Sequence, residues 1–346
     1  MKLCRIGFCG TGKWVKAYHI PMLQKKPDRY KLTGFFDVFP ENAASAATHG
    51  EKVYESLDSL IQDSEVDVIV VATKPVDTHF AVTMQILEAG KAVILEKPMT
   101  YSSAQCDALI AKSKEKKVLF TVNHNLRCSL CLKATQEVIS QGLIGDPLYV
   151  DINSPRSWYN MEDFSNYAVH MVDQALALNR SPLREVTATL AHPNEPMNRC
   201  GYGDALLRFE KSPNIRISLM PLPKRQIETD NYPYRGYFRF YAAGTKDTFA
   251  IADLSHIPNA EDLICNRYYY FDNDPVEFTR KEFLDTLNKD YYDFFYESWA
   301  EGAPLLITPE DARNAIRCIE LMTESAKNNR CVKATGLLPP TGKEIG

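Results

Sequence analysis

Between residues 4 and 123 five short apolar runs, CRIGFC, KLTGFFDV, VDVIVVAT, KAVILE and KVLFTVN, alternate with longer segments such as FAVTMQILEAG and SSAQCDALIAKSKEK. A run that is apolar at nearly every position is a strand buried on both faces, and strands separated by helices pair in parallel. This stretch therefore predicts an α/β domain over residues 1–123, a parallel sheet covered by helices.

After residue 123 the rhythm changes. PLYVDINS, REVTATLAH, ALLRFEK, IRISLMP, YFRFYAAG and RYYYFDND follow one another with few helices between them, and turn signals such as EKSPN and AAGTKDT join some as hairpins. Residues 124–346 thus read as an α+β domain with a large, mostly antiparallel open sheet. Two helices stand out within it, NYAVHMVDQALALN and TPEDARNAIRCIELMTESAKNN, the second opened by Thr308 as cap and Pro309 at the first helical position. A length of 346 residues fits two domains.

Charged residues make up 24% of the chain and the formal net charge is −4, a balance that points to neither nucleic acid nor a membrane surface. No apolar run reaches the roughly 18 residues of a membrane span, and no leader is read at the start, so the cytoplasm is the expected location. Nine cysteines are an odd count, scattered along the chain, and read as reduced thiols. Cys128 and Cys131 have the spacing of half a zinc site, but no second pair completes it, and no metal site is assigned.

Chemistry enters at Gly10-Thr11-Gly12, which joins the first strand to a helix. Glycine permits the tight turn and leaves room for a pyrophosphate at the helix N-terminus. Asp37 ends the second strand 25 residues after Gly12, where a carboxylate holds adenosine ribose hydroxyls; no arginine follows closely, which favours NAD over NADP. Val15 stands where the fingerprint usually carries its third glycine, a position that serves helix packing rather than phosphate contact.

Further segments carry a resemblance. Glu96-Lys97-Pro98 follows the strand KAVIL, Asn125-Leu126-Arg127 follows KVLFTV, His170-Met171-Val172-Asp173 lies in a helix, and His19-Ile20-Pro21 trails the glycine turn. Together these resemble the glucose-fructose oxidoreductase, inositol dehydrogenase and MocA (Gfo/Idh/MocA) family, over nearly the whole chain. The resemblance implies a Rossmann domain whose cofactor contacts are Gly10, Thr11, Gly12, Lys13, Trp14, Asp37, Thr73, Lys74, Pro75, His79, Glu96, Lys97 and Asn125. It implies Lys97 at the substrate hydroxyl and nicotinamide ribose, Glu96 near that ribose, and Pro75 and His79 along the nicotinamide. His170 becomes the general acid/base, and Lys97, Arg127, Trp158, Tyr159 and His170 meet a small carbohydrate. A homodimer or homotetramer built through the open sheet is also implied.

The chemistry supports these roles separately. Oxidising a secondary alcohol removes the hydroxyl proton as hydride leaves carbon; histidine titrates in the useful range, and a lysine holds the developing alkoxide by charge. Asn166, His170 and Asp173 fall at i, i+4 and i+7 of one helix and share a face. Three departures qualify the resemblance. Asn166 stands where the family usually has an aspartate, and Ala168 where it has glycine, so Asp173 or Asp163 compensates or the base is weaker. Lys74 precedes Pro75 where the family tends to read Thr-Pro, and Val15 is the third. The leading expectation is an NAD-dependent oxidoreductase of a sugar, glycoside or cyclitol. An NAD-dependent glycosidase using transient ring oxidation and a non-catalytic NAD-binding regulator are the alternatives.

Overall fold

The computed structural model describes residues 2–154, 160–191, 201–219, 239–252 and 289–343. The chain forms two compact units. The first comprises Met1–His124, Lys289–Ile316 and Thr341–Lys343, and the second Asn125–Asn288, Arg317–Pro340 and Glu344–Gly346. The chain thus returns to its first unit near the end, which a contiguous division at residue 123 does not capture.

In the first unit, strands β1 (Cys4–Cys9), β2 (Tyr30–Phe36), β3 (Lys52–Val53), β4 (Val68–Val71), β5 (Ala92–Leu95) and β6 (Phe120–Val122) form one sheet in the order β3-β2-β1-β4-β5-β6. Every pairing in it is parallel. Val68, Ile69, Val70 and Val71 are all fully buried, as expected for a strand covered on both faces. The order reverses between β1 and β4, and in open sheets of this kind ligands bind beyond the carboxyl ends of the strands at that switch point.

The helices Thr78–Glu88 and Ser103–Lys116 pack in this unit. A late helix, Tyr291–Glu301, also belongs to it and buries Tyr291, Tyr292, Phe294, Phe295 and Tyr296. Its start is fixed by Asp290, whose carboxylate accepts from the amides of Tyr292 and Asp293 at 2.8 and 3.2 Å, a capping box with Asp293. Asp293 in turn meets Lys26 and Arg29 at 2.8 Å each, and the Tyr30 hydroxyl donates to the Tyr292 carbonyl at 2.6 Å. These bonds set Tyr292 against the start of β2 and the turn before it.

In the second unit, β7 (Pro147–Ser154), β8 (Leu183–Ala191), β9 (Tyr202–Phe209), β10 (Asn214–Leu219), β11 (Arg239–Gly244), β12 (Thr248–Ala252) and β13 (Val332–Lys333) form a sheet in the order β12-β11-β7-β10-β9-β8-β13. All neighbours are antiparallel except β7 and β10. EKSPN and AAGTKDT do join hairpins, β9 to β10 and β11 to β12. The helix Leu130–Ser140 packs on β11 and β12, and the helix Met161–Leu178 on β7 and β10. The expected strand RYYYFDND lies outside the described residues. Among the described residues no helix is long and apolar enough to cross a membrane, and no cluster of metal-binding side chains occurs. Burial pushes the Cys9 thiol up to about 12, which keeps it inert beneath the glycine turn.

Candidate functional site

The glycine turn leaves β1 at Gly10, whose φ is +90° and whose amide donates to the Phe36 carbonyl at 2.8 Å. A Cβ on Gly10 would lie 2.6 Å from the Ala72 carbonyl oxygen, so the close approach of β1 and β4 requires glycine there. Gly12 differs: a Cβ would meet nothing within 4 Å, and the space above it is open. Thr11 between them is buried, and both its amide and its hydroxyl donate to Asp37, at 2.7 and 2.8 Å. Burial opposes ionisation of Asp37, but the Phe39 and Thr11 amides with the Thr11 hydroxyl and Asn42 outweigh it and hold the carboxyl below its ordinary range.

Beyond the turn, Lys13 and Trp14 are exposed, and Trp14 stacks on Tyr18 at 5.0 Å between ring centroids. Val15 is buried and opens a π-helical turn, Val15–His19, in which the Ile20 amide reaches back to the Val15 carbonyl. The helix is wider by one residue where the fingerprint's third glycine is absent. Such turns are rare and recur at functional sites. This one brings His19 inside, with no exposed surface.

His19 Nε2 lies 2.9 Å from Glu96 Oε1, and His19 Nδ1 lies 2.5 Å from the Tyr292 hydroxyl. Asn123, just past β6, donates its side-chain amide to the same Glu96 oxygen at 2.5 Å. Burial resists charge on Glu96, yet His19, the neighbouring Lys97 and Asn123 together hold its carboxyl below the usual carboxylate range. Lys97 follows at the carboxyl end of β5. Burial lowers it, Glu96 opposes that, and Lys74 adds to it, leaving the ammonium pulled down to about 8. A lysine so placed changes protonation near neutral pH, as proton-handling lysines do.

Thr73 is half-buried, while Lys74 and Pro75 are exposed. His79 is 1% exposed, with its ring nitrogens 3.0 Å from the Pro98 carbonyl and 3.1 Å from the Thr73 carbonyl. It ties together the loops that follow β4 and β5.

The remaining sequence candidates lie in the second unit. Asn160 caps the helix Met161–Leu178 by accepting from the Asp163 amide at 2.8 Å. Along it Asn166 is half-buried, His170 is 8% exposed and Asp173 is buried. Arg127, expected at the substrate, is instead 4% exposed and locked to Asp173, its Nε donating to Oδ2 at 2.7 Å and Nη2 to Oδ1 at 2.9 Å. Both Asp173 oxygens face the guanidinium, which makes Asp173 the counter-ion of Arg127. Asp163 and Asn125 are half-buried. Trp158 and Tyr159 lie outside the described residues.

The open space over Gly12, the helix N-terminus that follows and the ionised Asp37 fit a dinucleotide, with pyrophosphate over the glycine and ribose at the carboxylate. Tyr292 and Asn123 were not singled out by the sequence, and His19 entered only through the segment His19-Ile20-Pro21 that carries the resemblance, with no role assigned to it.

A family model described as an oxidoreductase family with an NAD-binding Rossmann fold matches residues 4–124. The scyllo-inositol 2-dehydrogenase (NADP(+)) of Bacillus subtilis is 26% identical over 347 residues, covering 95% of each chain. The UDP-N-acetylglucosamine 3-dehydrogenase of Acidithiobacillus ferrooxidans is 28% identical over 190 residues, covering 53% of this chain and 57% of its own. The crystal structure of GenD2 from gentamicin A biosynthesis, in complex with NAD, is 18% identical; with a TM-score of 0.75 over 96% of this chain and 97% of its own, it shares the fold.

Proposed function

We propose that this chain, whose residues 4–124 match an NAD-binding Rossmann oxidoreductase family, is a Gfo/Idh/MocA-type enzyme that moves hydride between NAD and a secondary hydroxyl or ketone of a sugar, glycoside or cyclitol. The observation that carries the reading is Lys97, at the carboxyl end of a switch-point strand beside the buried carboxylate of Glu96 and drawn to about 8. The B. subtilis relative, matched over nearly its whole length, acts on scyllo-inositol. That makes cyclitols the first substrates to try.

NAD, when bound, supplies the hydride acceptor. This chain's own groups do the rest. Gly12 leaves space for the pyrophosphate, and Asp37 hydrogen-bonds ribose hydroxyls while repelling a 2′-phosphate, which favours NAD. Lys97 as a cation donates to the substrate hydroxyl oxygen and stabilises negative charge growing there as the proton leaves. His170 takes that proton. Asn166 orients without adding charge, which makes His170 a weaker base than one backed by a carboxylate.

A panel of scyllo-inositol, myo-inositol and common hexoses, offered with NAD and separately with NADP, tests the reading by nicotinamide absorbance. Reduction of NAD by at least one of them is expected. Lack of reduction of either cofactor by every member contradicts it.

A further inference from the structure

His19 belongs to a chain of bonds that ends one residue from Lys97. Its ring is enclosed by Phe8, Tyr18 and Tyr292, with centroids 5.9, 5.2 and 6.0 Å away, so none of the rings packed edge-on against it carries a charge. Burial pushes ionisation of the Tyr292 phenol well above its ordinary range, which keeps that hydroxyl a donor. The Glu96 carboxylate only accepts, so Nε2 carries the hydrogen and donates to it, and Nδ1 of the neutral ring accepts from the Tyr292 hydroxyl.

We propose that Tyr292 and His19 are positioning residues, a relay whose Nε2–H holds the Glu96 carboxylate as an oriented anion behind Lys97 and thereby keeps Lys97 a cation at neutral pH. A buried hydrogen-bonded charge network contributes little net stability compared with apolar packing of the same volume, so its place beside Lys97 is better explained by what it does to that amine. The charged groups around Lys97 in this unit pull in opposite directions. Glu96 favours the cation and Lys74 opposes it. Glu96 in turn faces His19, Asn123 and, more weakly, His79. Removing the His19 donor leaves the carboxylate buried with Asn123 and the Lys97 charge for support. The carboxyl then drifts toward its neutral form, and Lys97 loses the anion that sustains it.

The proposal rests on the oxidoreductase reading only for its consequence in turnover. Its test needs neither cofactor nor substrate: competitive labelling of the free protein with acetic anhydride across pH, with acetylation of Lys97 read by mass spectrometry. The wild-type midpoint is expected near about 8. His19→Met should lower it by about one pH unit, a tenfold rise in the amine-to-ammonium ratio at fixed pH. His19→Gln keeps an N–H aimed at Glu96 and should restore most of the difference. Glu96→Gln should shift the midpoint at least as far as His19→Met. A folded His19→Met protein with the wild-type midpoint, or one indistinguishable from His19→Gln, overturns the proposal. If His19→Met does not fold, Tyr292→Phe decides, because it deletes the one hydroxyl that holds Nδ1 and loosens the aim of Nε2–H at Glu96. A lowered midpoint supports the relay, and an unchanged one overturns it. A chain that reduces no NAD yet shows these shifts refutes the proposed activity and leaves the relay standing.

Discussion

At the scale of single residues the structure separates groups that carry chemistry from groups that hold them. Lys97 is strained electrostatically, since burial and Lys74 both work against its charge. The unfolded chain binds a proton on this lysine more tightly than the folded chain does, so stability rises with pH between about 8 and the ordinary lysine value of 10.5. Lys97→Met should therefore raise the melting temperature at neutral pH while abolishing turnover, with a gain of about 1–2 kcal/mol after allowance for partial exposure; thermal melts of the wild type and the variant read the gain. Arg127 behaves oppositely. Arg127→Met leaves Asp173 buried without its counter-ion and should cost about 3–5 kcal/mol, whereas Arg127→Met combined with Asp173→Leu should recover much of that loss, as a double-mutant cycle in denaturant would show. The sequence made Glu96, Lys97 and His170 legible because each sits in a short motif. It hid the partner of Glu96: His19 is 77 residues away, and Tyr292 a further 273 from His19. It also hid the role of Arg127, because a basic residue carries no local mark of whether it faces a ligand or a buried carboxylate.

At the scale of elements the two turn glycines differ in what they do. Gly10 is demanded by the fold, with its positive φ and its contact with the Ala72 carbonyl, whereas Gly12 faces open space. Gly10→Ala should destabilise the first unit by about 2 kcal/mol or more. Gly12→Ala should leave the melting temperature within the range of about 1 kcal/mol while weakening NAD binding at least tenfold, because the new methyl enters the space left for the pyrophosphate; titration calorimetry beside a melt separates the two effects. The parallel strands were legible because continuous β-branched runs leave few alternatives, and the hairpins because EKSPN and AAGTKDT are strong turn signals. The π-helical turn at Val15–His19 was not. A widened turn depends on what the helix packs against, and Val15 alone does not say whether helix, strand or side chain gives way.

At the scale of the whole chain the contiguous reading of two domains missed the return of residues 289–316 to the first unit. The run YYDFFYES reads as an amphipathic helix in any context, and its destination is fixed by Asp293 meeting Lys26 and Arg29, contacts more than 260 residues apart in sequence. The return also places Tyr292 in the first unit, so acid stability of that unit should depend on Glu96. Its folded carboxyl lies below the ordinary 4.5, so the stabilisation is present above that value and is lost as pH falls through the lowered one. Glu96→Gln should flatten this part of the acid-unfolding curve. The central claim is that Lys97 holds the substrate oxygen as a cation during hydride transfer. The most direct measurement is the pH dependence of kcat/KM for NAD reduction, with the best substrate of the panel, in wild type and Lys97→Ala. The account predicts an alkaline limb near about 8 in wild type and a loss of about a hundredfold or more in the variant. Turnover by Lys97→Ala at the wild-type rate with the alkaline limb unchanged would contradict it.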